Sequence, residues 1–202
     1  PLSVPELLAT VFADGDGHGI TPDAIAAGRA RYAFDVDGTP IRFIVLDTAA
    51  PTGSADGLLR QGEIDDFLIP ELDAAQAAGQ YVIVTSHHAS GKLTDGGGFG
   101  GMAQDDAVLT EPFREVLASY PNVLMHLAGH THHHRASVIR STLGDGAYWE
   151  VETAALADFP HQLRTVEIRD LDNGFLGIKL IAFDFQTEND PIAEEEIGRE
   201  HV

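Results

Sequence analysis

Six of the ten histidines fall into two clusters, His87-His88 and His130-Thr131-His132-His133-His134, and this concentration is the strongest chemical signal in the chain. Neutral imidazole is a common ligand for divalent transition metals, and the 202 residues contain no cysteine to compete for that role. Thiolate ligands, iron–sulfur clusters, disulfides and thiol nucleophiles are thereby excluded. A metal would have to be held by imidazole, carboxylate, amide or water. Gly129 permits a sharp turn ahead of His130, and in an extended Gly129-His130-Thr131-His132 segment the two imidazoles would project to one side. His130 and His132 are therefore expected as metal ligands. His87 is expected to join them, and His88 is expected either to touch substrate or to be structural. His133 and His134 read as solvated loop residues, and His126 as pointing away from the site or satisfied in the core.

The elements that must position these residues alternate between strand and helix patterns. Residues 41–46 and 81–85 are short, β-branched and almost wholly apolar, as strands covered on both faces are. Between them Ile64, Phe67, Leu68, Leu72 and Ala75 form one helical stripe, interrupted at Pro70, where a kink is expected. A second helical stripe, Phe113, Val116, Leu117 and Tyr120, precedes a buried strand over 122–128. Both histidine clusters thus follow a buried strand, and the C-terminal ends of strands are where α/β sheets place their ligand sites. Beyond residue 135, segments 148–153, 164–169 and 177–183 read as sequential antiparallel strands separated by turns such as Asp172-Asn173-Gly174. The division expected is an irregular segment over 1–40, a core over 41–186 and an acidic tail over 187–202.

The Gly129-His130-Thr131-His132 motif at the end of a buried strand resembles the terminal Gly-His-x-His motif of calcineurin-like metallophosphoesterases. The strand over 81–85 followed by Ser86-His87-His88 is similar to the single-histidine motif that precedes it in that family. Softer similarity covers Leu46-Asp47-Thr48, Gln61, residues 148–154 and Phe159-Pro160. The resemblance implies an α/β fold, a β-sandwich of two mixed sheets with flanking helices, represented here by its C-terminal half. It implies a dinuclear Mn-, Fe- or Zn-type site with His87, His130 and His132 as ligands, acting on a small-molecule phosphoester. The family's earlier Asp-x-His, Gly-Asp and Gly-Asn-His motifs, which supply a bridging carboxylate, an amide ligand and a catalytic histidine, have no counterpart; Asp16-Gly17-His18 follows a poor strand and reads as a Gly-rich loop. No catalytic residue is therefore assigned. Little turnover is expected unless a missing N-terminal half or another chain completes the site.

Composition narrows the partners. With 32 acidic against 12 basic residues, a net charge of -20 repels a phosphate backbone, which excludes duplex nucleic acid. No apolar stretch reaches membrane-spanning length and no leader pattern follows Pro1, so a soluble chain is expected, with its compartment unread. A start without Met reads as a processed or truncated product. The Gly-rich run over 95–101 lacks the Gly-Lys-Ser/Thr helix start of a phosphate loop. Ser86 and Ser90 lack a nucleophile elbow. Asp47 either lines the cleft or caps a turn. Two rival functions are a noncatalytic His-rich metal-binding module and an interaction domain derived from a phosphoesterase.

Overall fold

A computed structural model describes residues 2–13, 19–51, 55–98 and 101–184. Asp16-Gly17-His18 and the expected acidic tail lie outside the described residues. The alternating strand and helix patterns produce a mixed α/β architecture, with a six-stranded mixed sheet and a separate two-stranded sheet. The chain divides into two compact units: residues 1–128 with 136–151, and residues 129–135 with 152–202.

In the first unit the apolar runs become β2 (Ile41–Leu46), β3 (Tyr81–Ser86) and β4 (Val123–Ala128), which pair in parallel in that order. Their inward residues Ile44, Leu46, Val82, Val84 and Val123 are buried beneath the helices that the two stripes predict. The first stripe begins at α3 (Gln61–Glu63) and ends in α4 (Ile69–Ala77), and buries Ile64, Leu68, Leu72 and Ala75. The second is α5 (Thr110–Ala118), which buries Phe113 and Leu117. Pro70 lies at the start of α4, and the chain accommodates it with a π-turn over Ile64–Leu68, where Ile69 N–H bonds back to the Ile64 carbonyl. A proline is tolerated in the first turn of a helix because its missing N–H would have no partner there.

Four elements differ from the sequence expectation. Residues before 41 carry helices α1 (Val4–Ala13) and α2 (Pro22–Ala27) and strand β1 (Tyr32–Val36), where an irregular segment was expected. β1 pairs antiparallel with β2 across a turn containing Asp37-Gly38, with Gly38 at φ 73. β5 (Arg135–Arg140) is an edge strand of polar alternation, and β6 (Ala147–Glu152) lies between β4 and β5. In the second unit β7 (Leu163–Asp170) and β8 (Leu176–Phe183) form the antiparallel hairpin that the Asp172-Asn173-Gly174 turn predicts. No helix among the described residues is long and apolar enough to cross a membrane.

Candidate metal centre

In the first unit β3 runs between β2 and β4, with Thr85 opposite both Val45 and Leu127. The turn leaving β3 exposes His87 and buries His88, whose rings meet edge to face with centroids 4.7 Å apart. His88 has committed both ring nitrogens. Nε2 lies 3.0 Å from the Ala55 carbonyl, which can only accept, so Nε2 carries the proton and Nδ1 takes the Thr48 hydroxyl at 2.9 Å. Thr48 Oγ1 accepts from the His88 N–H in return, at 3.3 Å. His88 thus stitches the β3 turn to the segment after β2. Asp47 accepts N–H bonds from Ala30 and Ala49, the turn-capping role of its two alternatives.

Gly57 is required by this packing, because a Cβ there would lie 2.8 Å from His88 Cγ and 2.9 Å from its Cβ. Gly57→Ala is expected to destabilise the protein by about 1–3 kcal/mol through overpacking. Urea unfolding midpoints check this, and a wild-type midpoint would show that the ring can shift at no cost.

Beneath the turn runs a buried polar chain that the sequence reading did not anticipate. His126, in β4, is wholly buried; its Nε2 lies 2.8 Å from Ser86 Oγ and its Nδ1 3.1 Å from Glu150 Oε2. The same Glu150 oxygen accepts the Ser90 N–H at 2.8 Å, and Arg114 approaches Glu150 Oε1 at 3.8 Å. Burial works to raise the Glu150 pKa, but hydrogen bonds and charge from His126, with those from Ser90, overcome it and hold the carboxyl at about 2. An ionised carboxylate only accepts, so His126 Nδ1 bears a proton. Ser86 has one proton and two acceptors within reach, His126 Nε2 and the His88 carbonyl at 2.7 Å. With His126 neutral the Ser86 proton goes to Nε2; with His126 doubly protonated it goes to the His88 carbonyl. The Ser-His-Glu order matches a nucleophilic triad, but Ser86 is buried at 9% exposure and its hydroxyl reaches the main chain of the next turn. Signals existed in the sequence: a histidine and a glutamate set within two otherwise strand-like segments.

In the second unit the Gly129-His130-Thr131-His132 segment is not extended. His130 and His132 take the left-handed conformation, with φ of 69 and 56, and Thr131 N–H bonds to the Gly129 carbonyl at 2.8 Å. The shared direction expected of an extended segment therefore does not apply. Such a conformation costs a residue with a Cβ about 1–2 kcal/mol. Thr131 Oγ1 donates to the buried Glu152 at 2.9 Å and pins the loop. His132 is half exposed, with Nδ1 3.8 Å from Asp158 Oδ2. His133 is exposed, and its Nδ1 meets the Thr131 carbonyl. His134 is not the solvated residue expected: its Nδ1 accepts from Ala154 N–H at 3.5 Å and its Nε2 is buried. Burial, then the charge of Arg164, lowers its pKa.

His87 and His88 lie in the first unit and His130 in the second. Two committed nitrogens make His88 the least available of the three, since ligation would break the bond to Ala55 or to Thr48.

No protein-family model matches the chain, and no curated protein matches it. Among solved structures it is similar to the sulfate thiohydrolase SoxB of Thermus thermophilus in complex with glycerol, at 17% identity and a TM-score of 0.43. That match covers 84% of this chain and 27% of SoxB, so the chain spans little more than a quarter of the length of the protein it matches.

Proposed function

We propose that this chain supplies histidine ligands, His87 and His130 foremost, to a divalent-metal centre of the metallophosphoesterase kind. The observation that carries the reading is the pairing of β3 and β4. They are adjacent and parallel with Thr85 opposite Leu127, and a histidine follows each within three residues. Chain connectivity alone keeps those two histidines near one end of the sheet, at roughly 3.8 Å per residue. The donor chemistry fits zinc or iron, which imidazole suits where no thiolate is available. His132 joins the set as ligand to a second ion, in keeping with the resemblance of its motif. His88 holds the turn that presents His87.

When bound, divalent ions place Lewis-acid charge against a phosphoryl group. The residues of this chain hold the ligands in place and, with a net charge of -20, disfavour polyanionic partners; small phosphoesters as the substrate class follow from the resemblance of the histidine motifs. The bridging carboxylate, the amide ligand and the leaving-group acid belong to motifs this sequence does not contain. The β-sandwich of two packed sheets belongs to the same reading.

Zinc and manganese titration of the 202-residue chain, followed by assays on p-nitrophenyl phosphate and its bis ester, tests the proposal. Zinc binding is expected, with turnover near background. His87→Ala or His130→Ala should weaken zinc by more than the roughly 10–100-fold that loss of an outer partner costs. A His133→Ala/His134→Ala variant should bind as the wild type does, because neither side chain belongs to the proposed ligand set. Failure to bind zinc, or equal loss in that double variant, would replace this reading with the interaction-domain or the His-rich capture function respectively.

A further inference from the structure

We propose that His126 is a positioning residue: acting through Ser86, and held from behind by Glu150, it fixes the backbone turn that presents His87. The functional meaning of this inference rests on the metal centre proposed above, while its geometry stands apart from it. Three alternate residues of one turn are tied to a single buried chain of side chains. Ser86 Oγ lies 2.7 Å from the His88 carbonyl across the turn and 2.8 Å from His126 Nε2, and Glu150 bridges His126 and the Ser90 N–H. From α5, Arg114 Nε donates to Ser90 Oγ at 2.8 Å and Thr110 Oγ1 to the Ser90 carbonyl at 3.0 Å. His87 is exposed and meets the His88 ring edge to face, within the turn that these bonds pin.

Core filling alone does not account for this arrangement. His126 packs edge-on against Phe113, with ring centroids 5.4 Å apart, in a layer where an apolar side chain of similar volume would avoid desolvating a ring and a carboxylate. Buried polar chains of this kind gain their value by specifying one arrangement. Here the group specified is the β3 turn. Metal-ligating side chains depend on such outer partners, whose loss costs about 10–100-fold in metal affinity.

The test compares Ser86→Ala, which removes one hydroxyl, and Glu150→Gln with the wild-type 202-residue chain. Amide hydrogen exchange without metal and calorimetric titration with zinc are the two readouts. Both variants should speed exchange over residues 87–92 relative to β2 and α4, and lower zinc affinity about tenfold. Ser86→Thr, which retains the hydroxyl, should restore both. Exchange that rises evenly across the unit, or wild-type zinc affinity in variants of a chain that binds zinc, would overturn the proposal. If the wild-type chain binds no zinc, the metal-centre reading fails by itself and the exchange pattern still decides the positioning role.

Discussion

His126→Leu should cost the protein about 1–3 kcal/mol or more, the penalty for leaving a buried charged acceptor short of a hydrogen-bond partner. The magnitude follows from what stays behind. Glu150 is 6% exposed and ionised, and without His126 it keeps the interactions with Ser90 and a distant Arg114. Ser86 loses one of its two partners as well. The loss should be smaller in a chain that also carries Glu150→Gln, because no buried charge is then stranded. A double-mutant cycle read by urea unfolding measures the difference as a coupling energy, expected within roughly 0.5–3 kcal/mol for residues in contact. Additive losses would show that His126 and Glu150 act independently, contrary to the hydrogen bond between them.

The sequence disclosed what periodicity and punctuation encode. The runs at 41–46, 81–85 and 122–128 could be read as buried strands because parallel strands covered on both faces are continuously apolar. The stripes through Leu68 and Phe113 reported their helices because a 3.6-residue repeat needs one buried side. β5 escaped because an edge strand with exposed Arg135, Ala136 and Val138 has no apolar alternation to read. β1 escaped although Asp37-Gly38 is a hairpin signal, since Tyr32–Val36 contains Asp35 and little burial. Of the candidate site, the placement of both histidine clusters after strands was legible. The left-handed backbone at His130 and His132 was not, because residue type alone suggested an extended segment; a division of labour between His87 and His88 was expected from the resemblance, but the contacts that bear on it were not. That division depends on Ala55, Thr48 and Gly57, three positions brought to His88 by tertiary structure.

Acid should remove a defined part of the stability, and Glu150 is its source. Its carboxyl titrates at about 2 in the folded protein against an ordinary value of 4.5. A depressed carboxyl contributes stability that is fully present above the unfolded value and is lost as pH falls through the folded one. The window therefore runs from about 4.5 down to about 2, and the contribution is on the order of 3 kcal/mol. Other carboxyls are lowered too, the half-buried Glu115 by Ser141 and Thr142, and the exposed Asp35 by Arg42 and Asp106 by Arg60, but none is changed in a Glu150 variant. Urea midpoints of wild type and Glu150→Gln should consequently differ at neutral pH and converge as pH falls through the window. Parallel curves would mean that Glu150 carries no special proton linkage. In His126→Leu the burial that raises the Glu150 pKa remains while the partner that does most to lower it is gone. The wild-type acid window should therefore shrink in that variant, which ties the pH dependence to the same contact that the double-mutant cycle measures.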